Sequence, residues 1–395
     1  MILVLLVLVP VLVLSGCTSD QGSSGQDEIV IGYNADQSNS SVAGYGVSSR
    51  EGFQLAVDEI NARGGILGKK IRTVILDDKG DKNISRKNME QLIFQENATA
   101  VIGPANSANA LYWLDLPQDN EMTVIVPIAT ASEITTRYAD RPRNYIFRIS
   151  SLDKEQTRLL VAWALRKTNN GKIAIIHEST PYGTQGAKDV SEVLARWGKT
   201  PVLVRGFDKG ISAENLTPII ESAKAAGADG ICFYSYADSS ADLLKTLDQV
   251  KDYNPVVFGP AANAVELWKL SGPLASKLVF ASGVLYSRDD RTKELYQKII
   301  DKYGSPPPIF ASAANAYDAV YLLEAAIKKA GTLDRAAVRD ALENVQNVQG
   351  VIKLYDKPFS RENHEGLSAK DMSLNHWVDG KVLKLDEDVS SLEIR

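Results

Sequence analysis

The sequence predicts an α/β protein with two doubly wound lobes, each built around a parallel sheet. Short apolar runs alternate with amphipathic helical segments over residues 28–135 and again over residues 145–260. The segments after residue 278 are too few to form a third core. A chain of 395 residues, at ~150 residues per domain, also suits two lobes.

The first unit alternates strands and helices from residue 28 onward. EIVIGY, at residues 28–33, is an apolar strand, and residues 48–63 place Phe53, Val57 and Ile60 on one helical face. Further strands are expected at residues 71–76, 100–102 and 123–126, with helices at 83–97 and after Asn106. This order predicts a parallel sheet with right-handed crossovers.

A second alternating unit begins at residues 145–149, and its strands and helices have a similar size and order. Its strands are expected at residues 172–177, 201–205, 230–234 and 256–258, with helices at 153–167, 187–197, 216–226 and 241–250. The last third supplies a strand at 278–285, helices at 292–303, 311–330 and 333–343, and strand-like segments at 350–355, 374–378 and 381–385. These late elements complete both sheets, so the chain crosses between the lobes several times and forms a hinge and a cleft.

Two turns in the stretch 100–135 indicate where a ligand binds. Strand 100–102 ends in Gly103-Pro104 before an Asn-Ser turn, and strand 123–126 ends before a second turn of small polar residues. In a parallel sheet both turns lie at the carboxyl edge, where open α/β sheets bind ligands. Ser107 and Thr130 would then lie side by side at an anion site. The spacing is equally compatible with both residues acting only as helix caps.

The first 27 residues have the pattern of a targeting segment. Residues 2–14 are almost entirely apolar and are too short for a membrane span, which needs about 20 residues. LSGC, ending at Cys17, looks like a lipobox, so residues 1–17 are interpreted as a signal peptide and Cys17 as the lipidated residue. Residues 18–27 form a flexible tether. No Lys or Arg precedes the apolar run, which leaves an uncleaved anchor as the alternative. Either interpretation places the body outside the cytoplasm, tethered to the cell membrane.

Composition argues against several other classes. The net charge of −5 and the lack of a basic stripe argue against a nucleic-acid partner. Three scattered histidines and two cysteines offer no zinc set, and we interpret the acidic run at residues 77–81 as a turn and helix cap. There is no GxSxG nucleophile elbow. We therefore expect no enzyme, no metal and no cofactor.

Several longer stretches together resemble one known family. They are YGVSSREGFQLAVDEINARGGILGKKI, VILDDKGD, AVIGPANSA, VPIATASEIT, IAIIHESTPYG and PFSRENHEGLSAKDMSLNHW, in the family order over residues 28–380. The chain resembles the extracytoplasmic solute-binding proteins of branched-chain amino acid type, with the periplasmic binding protein type I fold. That resemblance implies Rossmann-like lobes joined by a three-strand hinge, ligand capture by hinge closure, and a monomer that delivers its ligand to an ABC-type membrane permease. We divide the chain into lobe 1, residues 28–148 plus 284–356, and lobe 2, residues 149–283 plus 357–395.

The resemblance also implies a set of ligand-binding residues. Ser107, Thr130 and the Ile128 backbone would hold the ligand's carboxylate. Aromatic residues that follow strands would form the wall of the side-chain pocket: Tyr45, Tyr182 and Tyr236, with Tyr234 as the weaker choice for the last.

One departure from the family pattern concerns the ligand's ammonium group. Where the family often has a Glu after the Gly-Pro of a second-lobe strand, this chain has Ala261. A buried ammonium without a carboxylate costs several kcal/mol. Asp238, or Glu178, could replace the missing acid. Otherwise the ligand is an ammonium-free aromatic or aliphatic acid, or an amide. A ligand-sensing ectodomain is the further alternative to a branched-chain amino acid receptor.

Overall fold

The computed structural model describes residues 28–38, 42–260 and 262–387, which form two lobes. The first lobe contains a fully parallel sheet of order β2-β1-β3-β4-β5. Its strands are β1 (Glu28–Ala35), β2 (Lys70–Asp77), β3 (Ala100–Ile102), β4 (Thr123–Val126) and β5 (Ile146–Arg148). The central strands β3 and β4 are buried throughout, as expected for a sheet covered on both faces.

The second lobe contains a larger sheet of order β14-β13-β10-β9-β8-β6-β7. It is parallel except at one edge, where β13 pairs antiparallel with β10 and β14 pairs with β13. The strands after β5 are β6 (Ile173–Glu178), β7 (Leu203–Phe207), β8 (Gly230–Tyr234), β9 (Val256–Phe258), β10 (Leu278–Ser282), β11 (Val348–Gln349), β12 (Leu354–Tyr355), β13 (Ser373–Val378) and β14 (Lys381–Lys384). Strands β11 and β12 form a separate short pair.

Helices cover the faces of both sheets. They are α1 (Ala43–Ala62), α2 (Lys82–Glu90), α3 (Ser107–Trp113), α4 (Asp115–Asp119), α5 (Glu133–Thr136), α6 (Asp153–Lys167), α7 (Pro181–Arg196), α8 (Ala213–Ala225), α9 (Ala237–Gln249), α10 (Val265–Ser271), α11 (Asp290–Tyr303), α12 (Phe310–Ala330) and α13 (Arg335–Leu342). A π-helical turn follows α2 at Gln91–Gln95, and 3-10 turns lie at Gly272–Lys277 and Ala369–Asp371. Among the described residues no helix is long and apolar enough to cross a membrane.

Two helices from the end of the chain return to the first lobe. The long helix α12 packs directly on α1, and a β-carbon at Gly52 would lie only 2.0 Å from the carbonyl oxygen of Ala313. Only glycine allows this close approach. Strands β10, β13 and β14 belong instead to the second sheet, so the chain passes between the lobes at residues 149–152, 283–289 and 356–372. This alternation places a cleft between the two sheets.

Three expectations from the sequence differ from the structure. Residues 145–149 do not start the second unit, because β5 pairs in parallel with β4 at the edge of the first sheet. Helix α1 begins at Ala43, five residues earlier than expected, because the glycines that resemble turn residues in the sequence allow close packing: a β-carbon at Gly46 would lie 1.7 Å from the carbonyl oxygen of Asp36. The expected strand at 350–355 is reduced to the short pair β11–β12, since Val351 and Ile352 donate their N–H groups to Asp318 instead. The predictions about Cys17, the tether and Ala261 lie outside the described residues.

Candidate functional site

A cavity of about 80 Å³ lies between the lobes, at the carboxyl ends of β4 and β8. The first lobe contributes Tyr45, Ile128, Thr130 and Asn315. The second lobe contributes Gln156, Tyr182, Tyr236 and Asn263, and the crossing segments contribute Ser150, Ser151 and Gly283. Open α/β sheets bind ligands at this edge, so this cavity is the candidate ligand site.

Five of the residues named from the sequence meet in this cavity. They are Tyr45, Ile128, Thr130, Tyr182 and Tyr236. They come from four separate parts of the chain, and the fold brings them together because each follows the end of a strand or lies in the first turn of a helix facing the cleft. Ser107 and Asp238 are not among the lining residues.

Ser107 lies beside the second turn but does not face the cavity. Its side chain is buried, and its Oγ accepts a hydrogen bond of 3.3 Å from the main-chain N–H of Ala131. The cap of α3 is Asn106, whose Oδ1 accepts from the N–H of Asn109 at 2.8 Å. Ser107 thus holds in place the turn that carries Thr130. Neither Ser107 nor Thr130 caps a helix with its side chain.

Asp238 lies in the first turn of α9 and is turned toward solvent. Its carboxylate forms an ion pair of 3.3 Å with Lys209, and about a third of its side chain is exposed. Lys209 therefore neutralises the negative charge of Asp238, which a ligand ammonium would need as its partner. The neighbouring acid Glu178 is fully buried, and its Oε1 accepts from the N–H of Tyr236 at 3.0 Å. Glu178 therefore positions the main chain beneath one wall of the cavity.

The tyrosines form a neutral aromatic wall. The rings of Tyr182 and Tyr236 stack at 4.8 Å, and the phenol of Tyr45 donates a hydrogen bond of 2.9 Å across the cleft to Asn263 Oδ1. Burial raises the pKa of all three phenols above their usual value, so they stay protonated. The wall offers apolar ring faces and hydroxyl groups, and no charge.

No residue that the structure shows lining the cavity is charged. Two buried carboxylates lie near the tyrosine wall, Asp153 and Glu178. Burial raises the pKa of Asp153 to about 7 and also raises the pKa of Glu178. The hydroxyls of Thr130 and Tyr234 act to lower the pKa of Asp153 and so oppose the effect of burial. Neither carboxylate oxygen of Asp153 makes a hydrogen bond of standard geometry.

The sequence reasoning missed the amides that line this cavity. Asn315, on α12, donates from Nδ2 to the carbonyl of Pro127 at 2.9 Å, which leaves its buried Oδ1 without a partner. Gln156 and Asn263 come from α6 and from the turn before α10. The serine pair after β5, Ser150 and Ser151, could have been found as polar residues at a strand end. Nothing in the sequence near Asn315 sets it apart from other helix residues.

The acidic run after β2 folds into a hydrogen-bonded turn. Asp36, Asp77 and Asp78 bring carboxylate oxygens within 4.8 Å of one another. Asp78 accepts from Asn109, Ser85 and the N–H of Gly80, and Asp81 caps α2. These hydrogen bonds account for the geometry of the turn.

Comparison with known proteins gives the same picture as the fold and the cleft. Residues 28–381 match the profile of the periplasmic binding protein family. The chain belongs to this family.

It is similar to the Leu/Ile/Val-binding protein BraC3 of Rhizobium johnstonii, at 28% identity over 87% of this chain and 90% of that protein. Among solved structures it is similar in fold to a periplasmic binding protein type 1 from Bordetella pertussis (TM-score 0.80, 24% identity, covering 91% of this chain and 99% of that one). It is also similar to a branched-chain amino acid transporter substrate-binding protein from Streptococcus pneumoniae solved with isoleucine (TM-score 0.74, 24% identity, covering 90% and 97%).

Family membership confirms the resemblance and the two-lobed fold inferred from the sequence. Periplasmic binding proteins are extracytoplasmic and serve transport, and they are not an enzyme family. The cavity therefore lies in a member of a family of substrate-binding transport proteins.

Proposed function

We propose that this protein captures a small amino acid or related carboxylate between its lobes and delivers it to an ABC-type membrane permease. The observation that carries the proposal is the cavity at the facing sheet edges, lined by Thr130, Ile128 and three tyrosines. The relative from Rhizobium johnstonii is named for leucine, isoleucine and valine, and the Streptococcus pneumoniae protein was solved with isoleucine. Both support an amino-acid ligand here.

The polar end of the ligand is expected against the first lobe. The Thr130 hydroxyl and the main chain at Ile128 provide the hydrogen bonds for a carboxylate, and Ser107 holds that turn in place through Ala131. The free Oδ1 of Asn315 is an acceptor for a ligand N–H. Asn315 is a better candidate for this role than Asp238, which is paired with Lys209 outside the cavity.

A second candidate ligand is a carboxylate without an ammonium group, or an amide. The lack of charged residues in the described lining favours it, because a buried ammonium usually needs a carboxylate partner. An amide oxygen such as Asn315 Oδ1 satisfies one N–H but does not neutralise a positive charge.

Binding by hinge closure follows from the arrangement of the chain. We take lobe 1 as residues 28–148 plus 284–356 and lobe 2 as residues 149–283 plus 357–395. The three crossing segments support this division. Interlobe hydrogen bonds from Tyr45 to Asn263 and from Ser132 to Asp189 are expected to form on closure, when a ligand selects the closed state. A lipid anchor at Cys17 and action as a monomer complete the proposal.

Calorimetric titration tests the proposal and separates the two ligand classes. The body from residue 19 onward is titrated with leucine, with 4-methylpentanoic acid, which has the same carbon chain without the amino group, and with 4-methylpentanamide. Leucine binding, weakened in Asn315→Leu more than the binding of the acid, supports the amino-acid assignment. Tighter binding of the acid or the amide supports the second candidate. Binding of none of the three contradicts the assignment of the cavity to this head group.

A further inference from the structure

A second, larger cavity adjoins the first. Its volume is about 340 Å³, against about 80 Å³ for the interlobe cavity. The two cavities share three lining residues, Asn263, Ser282 and Ala311. They are therefore neighbouring chambers of one interlobe space, and the second one extends past the start of α12 toward the β13–β14 hairpin.

The second chamber is lined mainly by aromatic and apolar side chains. The rings of Tyr286 and Tyr296 stack at 4.4 Å, and Phe310 meets them edge-on at 6.5 and 5.8 Å. Trp377 donates its indole N–H to the carbonyl of Ala262 at 2.7 Å, so it has no free donor for a ligand. A lining of this composition suits an aromatic ring, which gains from edge and face contacts as well as from burial.

Charge is absent from the lining of the second chamber except at one residue. Within the described chain the only charged lining residue is Lys381, which is exposed at the start of β14. A ligand group deep in this chamber is therefore uncharged, because an ionised group would lack a partner there.

Ala311 lies at the boundary that the two chambers share. It lies in the first turn of α12, it is only partly buried, and it contributes to both linings. Its side chain is a single methyl group. A larger residue at this position would project into the shared space, whereas the helix itself tolerates most side chains in its first turn.

We propose that the second chamber binds the tail of an elongated ligand, and that Ala311 sets how long that tail can be. The ligand class is an α-amino acid or related carboxylate whose side chain ends in an aromatic ring, with the polar head in the interlobe cavity. This inference rests on the proposed function, because the head site is the one assigned there.

Titration of two amino acids with the same head group tests the inference. Leucine is the short probe, and 2-amino-4-phenylbutanoic acid is the long one. The protein is expected to bind the long probe at least about tenfold tighter, since its ring is buried in the second chamber. Ala311→Leu should weaken the long probe at least about tenfold more than it weakens leucine, since the larger side chain blocks the way to the second chamber. Ala311→Ser is the matched control, which adds one atom at the same position and should leave the ratio of the two affinities unchanged.

A second variant keeps the test decisive if Ala311→Leu does not fold. Tyr286→Leu removes the ring stack of the second chamber without touching the interlobe cavity, and it should weaken the long probe alone. If leucine binds while the long probe binds no tighter, or if the variants weaken both probes equally, the second chamber has no role in binding and the proposed function stands. If neither probe binds, the same comparison is made with 4-methylpentanoic acid and 4-phenylbutanoic acid, which lack the amino group. Binding of none of the four contradicts the proposed function, and this inference fails with it.

Discussion

The phenol of Tyr45, in the first lobe, donates a hydrogen bond of 2.9 Å to Asn263 Oδ1, in the second lobe. Both residues line the interlobe cavity, so this bond joins the two lobes directly across the ligand site. A bond that exists only when the lobes are closed adds its free energy to ligand binding.

Tyr45→Phe is expected to weaken ligand binding by about two- to tenfold, because a typical hydrogen bond contributes ~1 kcal/mol. Calorimetric titration measures the change. Tyr33→Phe is the matched control, since the Tyr33 hydroxyl donates to the carbonyl of Gly46 at 2.6 Å within the first lobe. The control should lower the melting temperature without altering affinity. Equal affinity for Tyr45→Phe and the unsubstituted protein would show that this bond does not stabilise closure.

Thr130→Val is expected to reduce the affinity for a carboxylate ligand by more than about tenfold, since a hydrogen bond to a charged group is worth ~1.5–3 kcal/mol. The substitution keeps the shape of the side chain and removes its hydroxyl. Thr123→Val, on β4, is the control: its Oγ1 is buried and has no hydrogen-bond partner. That variant should bind normally and be at least as stable. Normal binding by Thr130→Val would remove Thr130 from the carboxylate site.

Glu365→Gln is expected to destabilise the fold by about 3–5 kcal/mol, because it leaves the buried guanidinium of Arg148 without a negatively charged partner. Arg148 is fully buried and contacts Glu365 through Nε at 2.7 Å and Nη2 at 2.6 Å. Denaturant unfolding measures the loss. The control Asp248→Asn breaks an ion pair with Lys277 in which both side chains are about 40–50% exposed. That change should cost under ~1 kcal/mol. Similar losses for both variants would contradict the assigned role of the buried pair.

Asp153→Asn is expected to stabilise the protein at pH 8 more than at pH 5. The pKa of Asp153 is raised from 3.8 to about 7 by burial, so the folded protein retains a proton that the unfolded chain releases. The associated stability is present at low pH and is lost as the pH rises toward 7. Melting temperatures of variant and unsubstituted protein at the two pH values give the difference. The control Asp290→Asn makes the same substitution at an exposed side chain, where no carboxylate is buried. A pH-independent effect of Asp153→Asn would mean that its folded-state pKa is not raised.

Local patterns in the sequence were sufficient for most of the architecture. Apolar runs such as residues 100–102 and 123–126 are β3 and β4 of a buried parallel sheet, and the turns after them reach its carboxyl edge. These elements could be predicted because burial on both faces demands continuous apolar strands, a requirement visible within a few residues.

The cavity depended on contacts that no local pattern contains. Asn315 and Asn263 face the same space from segments about fifty residues apart, and Asp238 is turned away by its pairing with Lys209. Ser107 lies at the expected edge of the sheet, yet its hydroxyl oxygen accepts a hydrogen bond from the main-chain N–H of Ala131.

The sequence by itself thus determined the family and the two α/β lobes, and its resemblance to that family indicated five residues that meet in the cleft. The tertiary structure decided which polar groups remain free inside the cleft, and it revealed the aromatic chamber behind Ala311. The physical reason is that strand and helix formation depends on the periodicity of neighbouring residues. The shape and the unsatisfied hydrogen-bonding groups of a cavity depend instead on side chains that meet only after both lobes have folded.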